Sequence, residues 1–191
     1  MSQPLPPCSI LLLAGGRGQR MGGRDKGLVE WQGRPLIEHV LEKVRPLTDD
    51  LIISCNRNLD RYRLYADQIA SDRQGDYPGP LAGVLTGLAV ARHEWIVVLA
   101  CDAPRVDRVL IDDLRRAAHG SGEAAMIRQA GYWQPMFSVL PLGTLPALES
   151  AWSAGERSLQ RVLTAIGVQA VECAEDDMRL ANFNTPQWLQ T

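Results

Sequence analysis

The chain has 191 residues, of which 46% are hydrophobic and 22% are charged, and its formal net charge is −2. These proportions are typical of a globular protein and exclude a disordered, collagen-like or coiled-coil chain. The net charge argues against non-specific nucleic-acid binding, which depends on many basic residues that neutralise phosphates. At about 150 residues per domain, the length predicts a single domain spanning residues 1–191.

Neither the apolar runs nor the cysteines indicate a membrane or secreted protein. The longest uninterrupted apolar runs, Ile10–Ala14 and Trp95–Cys101, are far shorter than the ~20 residues that span a bilayer. Residues 1–7 contain no Lys or Arg and no long apolar core, unlike a secretory signal. The four cysteines form no CxxC pair: Cys8, Cys55, Cys101 and Cys173. We therefore expect reduced, buried thiols in a cytoplasmic protein.

Short apolar runs alternate with segments of helical period along the first two thirds of the chain. In order, they predict a strand at Cys8–Ala14, a short strand at Leu28–Trp31, a helix from Pro35 to Val44, a strand at Asp50–Cys55, a helix over Tyr62–Ile69 leading into a short strand that ends near Asp72, a helix at Leu81–Arg92, a strand at Trp95–Ala100, a helix at Arg108–Ala118 and a strand at Ala124–Arg128. Strands separated by helices imply a parallel sheet with right-handed crossovers.

After Gly131 the regular alternation of predicted strands and helices ends. The remaining predicted elements are a strand at Met136–Leu140, helices at Thr144–Trp152 and Ser158–Ile166, a strand at Gln169–Cys173 and a helical turn near Pro186–Leu189. We predict an α/β fold: a three-layer α/β/α sandwich with a mostly parallel, Rossmann-like sheet, whose last third builds part of the site.

The segment Gly15–Gly27, called here the glycine-rich loop, holds six glycines in 13 residues directly after the first strand. Its charged residues are basic, except for one carboxylate: Arg17, Arg20, Arg24, Lys26 and Asp25. Glycine lets backbone N–H groups approach a ligand closely, and such groups bind anions together with Arg and Lys. The loop lacks both the Walker spacing and the dinucleotide fingerprint. It predicts a polyphosphate site, and the alternative is a surface loop with solvated charges.

Asp102 follows the most apolar strand of the sequence, Trp95–Ala100. In open α/β sheets, ligands bind outside the carboxyl ends of the strands, where the strand order switches. One or two carboxylates together with substrate phosphates suffice to hold Mg²⁺. Opposite a phosphate-binding loop, Asp102 is therefore predicted to bind Mg²⁺, and the alternative is a cap of the following helix or turn.

Other candidate residues carry two interpretations each. Asp72 suits recognition of a base or ribose, or is an ordinary loop residue. Asn182 and Asn184 contact a ligand or cap the terminal helix. Tyr132 and Trp133 stack on a flat ligand or are buried in the core. We identify no arrangement suited to covalent catalysis, and positioning with electrostatics is sufficient for phosphoryl or nucleotidyl transfer.

Five motifs, taken in order, resemble those of the molybdenum cofactor guanylyltransferases, which are glycosyltransferase-A-like nucleotidyltransferases. They are Leu13-Ala14-Gly15-Gly16, Arg20-Met21-Gly22-Gly23-Arg24-Asp25-Lys26, Asp76-Tyr77-Pro78-Gly79-Pro80-Leu81-Ala82-Gly83, Cys101-Asp102 and Asn182-Phe183-Asn184-Thr185-Pro186. The match extends from Cys8 to Leu189. The resemblance implies the fold of the nucleotide-diphospho-sugar transferases, with residues 8–130 approximately binding nucleotide and residues 131–191 facing the acceptor.

The resemblance further implies that GMP passes from GTP to Mo-molybdopterin, giving pyrophosphate and Mo-molybdopterin guanine dinucleotide, with Mg²⁺ as cofactor. Catalysis would fall to Lys26, Asp102 and Arg20, with Mg²⁺ on Asp102 and guanosine recognition at Asp72. The implied nucleotide-binding residues are Leu13, Ala14, Gly15, Gly16, Gly22, Lys26, Ser54, Asn56, Asp72, Pro80, Leu81 and Asp102. Asn182 and Asn184 would serve the pterin side, and cofactor-delivery proteins or molybdoenzymes are implied further partners.

Two segments depart from the family pattern. Ser54 stands where close relatives carry an asparagine, so a guanosine contact falls either to its shorter hydroxyl or to Asn56. Trp133-Gln134-Pro135-Met136 replaces a His/Arg-Pro-Thr pattern on the acceptor side. Alternative functions are a related nucleotidyltransferase that uses CTP or a sugar phosphate, and a non-catalytic nucleotide-binding module of the same fold.

Overall fold

A computed structural model describes residues 4–16, 23–71, 79–183 and 188 of the chain. Within these residues the strands are β1 (Ser9–Leu13), β2 (Glu30–Trp31), β3 (Arg34–Pro35), β4 (Leu51–Ser54), β5 (Gln68–Ala70), β6 (Trp95–Ala100), β7 (Ala124–Gln129), β8 (Tyr132–Pro141) and β9 (Val168–Cys173). The α-helices are α1 (Leu36–Val44), α2 (Leu59–Tyr62), α3 (Pro80–Val90), α4 (Arg108–Ser121), α5 (Leu145–Ser153) and α6 (Leu159–Ile166).

Seven strands form one sheet in the order β5-β4-β1-β6-β8-β7-β9. β8 pairs antiparallel with both of its neighbours, and the other pairs are parallel. From β1 the chain builds outward to β4 and β5, then crosses to β6 on the other side of β1. The strand order therefore switches at β1 and β6, and their carboxyl ends lie at the same edge of the sheet.

The two faces of the sheet bury separate apolar cores, because successive side chains of a strand point to opposite faces. In β1, Ile10 and Leu12 lie in the core beneath α1 and α4, whereas Leu11 and Leu13 lie in the core beneath α3, α5 and α6. β1 is fully buried, as expected for a central strand covered on both sides. The predicted three-layer α/β/α fold with a mostly parallel sheet is confirmed.

Two predicted elements differ from the structure. The helix predicted over Tyr62–Ile69 is wrong, because α2 ends at Tyr62 and the chain turns there. The turn is fixed at Asp67, whose carboxylate accepts the N–H of Leu51 at 2.8 Å and pairs with Arg45. The strand predicted at Leu28–Trp31 is shorter, because Lys26–Leu28 forms a 3₁₀ turn.

The other predicted strands and helices are present with shifted ends, and the largest shift is at β8, which begins at Tyr132, four residues before the strand predicted at Met136–Leu140. The helical turn predicted near Pro186–Leu189 lies outside the described residues except for Trp188. No helix in the described part of the chain is long and apolar enough to cross a membrane. All four cysteines are free thiols, as predicted, but Cys173 is only half-buried. Burial raises the pKa of Cys55 to about 12, which keeps this thiol protonated and unreactive at neutral pH.

Helix α3 approaches the sheet closely because glycines face it. A Cβ atom added at Gly87 would lie 2.5 Å from Leu11 Cδ2, and one added at Gly83 would lie 2.7 Å from both Leu13 Cδ2 and Ser54 Oγ. Leu11 is fully buried and has little room to move. These glycines therefore set the distance between α3 and the end of the sheet that carries Leu13 and Ser54.

We expect Gly87→Ala to destabilise the protein by about 1 kcal/mol, because overpacking costs ~1–3 kcal/mol and exceeds the helix propensity gained, which is at most ~1 kcal/mol. Gly120→Ala is the matched control in α4, where an added Cβ meets no atom of the described residues within 4 Å. This variant should be as stable as the wild type or slightly more stable. Urea unfolding of both variants measures the difference, and equal stability would contradict the packing argument.

Candidate functional site

The candidate site lies at the carboxyl ends of β1, β4 and β6. The end of β1 is bonded to both neighbours, since Ala14 N–H donates to the Ser54 carbonyl at 2.8 Å and Cys101 N–H to the Leu13 carbonyl at 3.3 Å. A small cavity of about 100 Å³ opens here, lined by Leu13, Ala14, Gly16, Lys26, Cys101, Asp102 and Met136. The two segments predicted to carry the chemistry, the start of the glycine-rich loop and Asp102, therefore share one cavity.

Lys26 and Asp102 form an ion pair across this cavity. Lys26 Nζ lies 3.4 Å from Asp102 Oδ2, and the side chains are 27% and 9% exposed. A carboxylate buried to this degree is costly without a nearby cation. The site thus holds one acidic and one basic group within reach of the same ligand, with the lysine the more accessible of the two.

The backbone next to Lys26 is held in place through a buried carboxylate, that of Asp25. Its oxygens accept the Tyr62 hydroxyl at 2.5 Å and the Asn58 side-chain amide at 2.9 Å. Burial raises the pKa of Tyr62 far above its ordinary value, so this hydroxyl keeps its proton and remains a donor. The next glycine, Gly27, lies so close that an added Cβ would be 2.7 Å from the Tyr62 hydroxyl oxygen. Asp25 and Tyr62 together fix the turn that presents Lys26.

The C-terminal segment contacts Asp102 through the main chain, because Phe183 N–H donates to the Asp102 carbonyl at 2.8 Å. The Phe183 ring is fully buried against Trp31 and Trp188, at centroid distances of 5.0 and 5.5 Å. Beside it, Asn182 Oδ1 is buried without a hydrogen-bond partner among the described residues. A segment distant in sequence is therefore held next to Asp102, with one buried polar atom that has no partner in the described part of the chain.

The chain is similar over most of its length to a known protein family. The family model described as MobA-like NTP transferase domain matches residues 10–171. A protein of Pseudomonas putida (strain GB-1) named molybdenum cofactor guanylyltransferase is 66% identical over 190 residues, which cover 100% of both chains. The chain belongs to the MobA-like NTP transferase family. The resemblance inferred from the five motifs is confirmed, and this family member is a nucleotidyltransferase.

Solved structures with the same architecture support the assignment. The molybdopterin-guanine dinucleotide biosynthesis protein A from Archaeoglobus fulgidus superposes with a TM-score of 0.76 and 25% identity over 95% of each chain. The 2-C-methyl-D-erythritol 4-phosphate cytidylyltransferase from Thermus thermophilus gives a TM-score of 0.73 at 18% identity, covering 97% of this chain and 96% of that chain, which shows the fold alone. This MobA-like NTP transferase therefore has the fold of the nucleotide-diphospho-sugar transferases.

The predicted nucleotide-binding residues of this MobA-like NTP transferase fall into three groups. The first group lines the cavity and consists of Leu13, Ala14, Gly16, Lys26 and Asp102. Gly15 lies between Ala14 and Gly16 in the chain. An added Cβ at Gly15 or Gly16 meets no atom of the described residues within 4 Å. Four predicted site residues lie outside the described part of the chain: Arg20, Gly22, Asp72 and Asn184.

The remaining predicted residues flank the cavity. Ser54 is 3% exposed and its Oγ lies beside Gly83 of α3, whereas Asn56 is half-buried just beyond β4. Pro80 is exposed at the start of α3, but the Leu81 side chain lies in the core, which leaves only its backbone for a ligand. Any contact of this MobA-like NTP transferase with a base through Ser54 therefore requires a close approach to α3.

The aromatic pair at the start of β8 takes two different environments. Tyr132 is 76% exposed, so its burial in the core, one of the two expectations, is wrong. Trp133 is half-buried beside the core beneath α5 and α6, with the Arg128 guanidinium 5.3 Å from its ring. Met136, in the segment that departs from the family pattern, reaches the cavity of this MobA-like NTP transferase.

Sequence reasoning missed the residues that support the site of this MobA-like NTP transferase. Asp25, Tyr62 and Phe183 act through buried contacts with Lys26 and Asp102 or their neighbours. One signal was available for Asp25, which is the single acidic residue in a basic loop. Such an isolated carboxylate indicates an internal partner rather than a ligand contact.

Proposed function

We propose that the chain transfers a GMP unit from GTP to Mo-molybdopterin, releasing pyrophosphate and giving Mo-molybdopterin guanine dinucleotide. A terminal phosphate oxygen of the acceptor forms a bond to the α-phosphorus of GTP. The bond between the α-phosphorus and the oxygen that bridges it to the β-phosphorus breaks, and the electron pair leaves with pyrophosphate. No covalent intermediate with the protein is required for this displacement.

One observation supports this proposal above all: the Lys26–Asp102 pair stands at the strand-order switch between β1 and β6. This is where ligands of open α/β sheets bind. The glycine-rich loop begins at the same edge, and Gly15 and Gly16, whose added Cβ atoms would meet no described atom within 4 Å, suit the approach of a phosphate chain. The names of the Pseudomonas and Archaeoglobus proteins specify the nucleotide and the acceptor.

In this mechanism, Lys26 binds the triphosphate and neutralises the negative charge that develops on pyrophosphate as it leaves. Its exposed fraction of 27% lets the ammonium group turn from Asp102 toward a ligand. Arg20 and Gly22 are proposed as further phosphate-binding residues. At the end of the nucleotide away from the triphosphate, the residues assigned to guanosine recognition are Asp72, Ser54, Asn56, Pro80 and Leu81.

Asp102 is proposed to hold Mg²⁺. The residues fit this role, because the site provides one buried carboxylate, and Mg²⁺ needs only one or two together with phosphate oxygens. Among the described residues, no group of three or more His, Cys, Asp or Glu side chains forms a metal cage. When bound, Mg²⁺ would supply positive charge to the phosphate oxygens of the nucleotide.

The chain is proposed to act as one domain over residues 1–191, with a nucleotide part at about residues 8–130 and an acceptor part at about residues 131–191. The second part supplies Met136 to the cavity and Asn182 beside Asp102. Asn182 Oδ1, which has no hydrogen-bond partner among residues 4–16, 23–71, 79–183 and 188, suits a donor group of the pterin, and Asn184 is assigned to the same side. Trp133 and Gln134 lie in β8, between its first residue and Met136.

The substrates proposed are GTP and molybdopterin bearing molybdenum, and the product would pass to a cofactor-delivery protein or a molybdoenzyme. A net charge of −2 favours neither nucleic acid nor an anionic membrane surface as a partner. We assign the protein to the cytoplasm, because its four cysteines are free thiols.

Pyrophosphate release tests the function. The full chain is incubated with Mg²⁺ and GTP, CTP or UTP, each with and without the Mo-molybdopterin acceptor. We expect release with GTP only when acceptor is present, at a kcat/KM at least about tenfold above that with CTP, because a pocket that hydrogen-bonds one base leaves its polar groups unpaired with another.

The alternatives give different results in the same assay. Preferential turnover of CTP, or turnover with a sugar phosphate as acceptor, would replace the proposal with a related nucleotidyltransferase. GTP binding without pyrophosphate release, even with acceptor present, would identify a non-catalytic nucleotide-binding module. The Lys26–Asp102 pair favours catalysis over this last alternative, since nucleotide binding alone does not require a buried carboxylate facing the phosphates.

A further inference from the structure

Arg57, which follows β4 in the chain and is absent from the predicted site, bonds both ends of the glycine-rich loop. Its Nη1 donates to the Gly23 carbonyl at 2.8 Å, and its Nη2 donates to the Gly16 carbonyl at 3.1 Å and the Arg24 carbonyl at 2.9 Å. Its Nε is buried 3.5 Å from Asp25 Oδ2. One side chain thus joins the residues that leave β1 to those that lead into Lys26.

The chemistry of the guanidinium explains how one group can make these contacts. It is planar, permanently charged and carries five N–H donors in a fixed geometry, whereas a lysine ammonium is a compact charge on a flexible stem. Hydrogen bonds from a charged donor are stronger than those between neutral groups. Three hydrogen bonds from Arg57 to carbonyls, together with its ion pair with Asp25, therefore hold the ends of the loop at fixed positions relative to each other.

The contacts of Arg57 affect the cavity through both ends of the glycine-rich loop. Gly16 lines the cavity itself, and Arg24 lies two residues before Lys26, which pairs with Asp102. Asp25, between them, is held at the same time by Tyr62. A loss of the Arg57 contacts would free Gly16 and Arg24 from each other, although each flanking strand and turn would keep its own bonds.

We propose that Arg57 is a positioning residue for triphosphate binding: it fixes the two ends of the glycine-rich loop so that Gly16 and Lys26 face the same phosphate chain. This inference rests on the proposed function, in which the loop binds the phosphates of GTP. Arg57 itself is not assigned as a phosphate ligand, because its two terminal nitrogens donate to protein carbonyls and its Nε is buried beside Asp25.

The test uses the full chain and the variants Arg57→Met and Arg57→Lys. Arg63→Met is the matched control, because Arg63 is an exposed arginine of the same region that pairs only with Asp60 among the described residues. Titration calorimetry with Mg²⁺ measures the Kd of GTP and of GMP. Amide hydrogen exchange of the peptide containing Gly23–Leu28, without nucleotide, measures the order of the loop end directly, and thermal unfolding checks the fold.

For both Arg57 variants we expect the Kd of GTP to rise about tenfold or more, which corresponds to losing one charge-assisted hydrogen bond or more. The Kd of GMP should change less than about twofold, because it depends on the nucleoside side of the site. Exchange of the Gly23–Leu28 peptide should become faster, and the control should behave as the wild type.

Several outcomes would overturn the inference. Unchanged GTP affinity in Arg57→Met, or full GTP affinity in Arg57→Lys, would show that the several N–H donors of the guanidinium are not needed for GTP binding. An equal loss for GTP and GMP would place Arg57 on the nucleoside side, and a GTP loss with unchanged amide exchange would make it a direct phosphate ligand. Should Arg57→Met fail to fold, Arg57→Lys decides the question. Failure of the wild type to bind GTP would instead contradict the proposed function.

Discussion

The Asp102→Asn variant is expected to lose at least about 10²-fold in turnover while folding normally, the effect of removing one preorganised electrostatic contact. Asparagine keeps the shape of the side chain and removes the charge that pairs with Lys26 and is proposed to hold Mg²⁺. Lys26 is 27% exposed and can turn toward water in the variant, so the fold should tolerate the change. Pyrophosphate release at several Mg²⁺ concentrations, with saturating GTP and acceptor, measures the loss.

Asp107→Asn is the control for this variant. Asp107 lies five residues further along the chain, where its carboxylate accepts the Leu110 N–H at 2.8 Å and caps α4. Asparagine caps helices about as well as aspartate, and the partly exposed ion pair of Asp107 with Arg179 at 3.5 Å contributes at most ~1 kcal/mol, so turnover should be unchanged and stability should fall by no more than that. Turnover of Asp102→Asn within about tenfold of the wild type would remove Asp102 from the metal and charge-stabilising role.

The Lys26→Met variant should lose about 10²-fold in kcat/KM for GTP, through both a higher KM and a lower kcat. The ammonium group is proposed to contact the phosphates in the ground state and to stabilise the charge on pyrophosphate in the transition state, and contacts to charged groups are worth ~1.5–3 kcal/mol each. Steady-state kinetics with varied GTP separates the two effects.

Lys43→Met provides the matched control, since Lys43 is the other lysine of the chain and lies exposed on α1. It should leave both constants unchanged. A Lys26→Met enzyme with a higher KM but an unchanged kcat would limit Lys26 to ground-state binding. Wild-type values for both constants would refute the assignment of the glycine-rich loop to the phosphates.

The sequence was sufficient to predict the strands that carry the site. β1 and β6 are short and uninterrupted apolar runs, and such runs are typical of strands buried on both faces. Because the carboxyl ends of parallel strands meet at one edge, the positions of the motifs placed the start of the glycine-rich loop and Asp102 at the same edge, whereas the ion pair between Lys26 and Asp102 was not predicted. Periodicity and topology together determine this part of the molecule.

The reversal at β8 was not predicted, because helical and apolar patterns give a strand's position but not its direction. The reversal depends on the two-residue turn Ala130-Gly131, in which both residues have positive φ, 48° and 81°. Glycine adopts this conformation readily, but alanine does so rarely, so the sequence Ala130-Gly131 did not indicate a hairpin turn. The antiparallel strand places Met136 at the cavity, in a segment that follows Gly131.

The supporting contacts of the site could not be predicted for a different reason. Arg57 binds main-chain carbonyls, and every residue type has a carbonyl, so its partners leave no trace in the sequence. Tyr62 looked like part of a helical stripe, yet its hydroxyl reaches Asp25. Contacts of this kind depend on the final path of the chain rather than on the composition of either segment.

The main-chain bond between Phe183 and Asp102 has a consequence for how the enzyme is made. During translation β1, β4 and β6 leave the ribosome early, and Asp102 follows shortly after β6. The aromatic rings that surround Phe183 include Trp31 from the beginning of the chain and Trp188 from its end. The surroundings of Asp102 are therefore completed only after residues 183–188 have been synthesised, and a product terminated before them would carry β1, β4 and β6 without the contacts of Phe183.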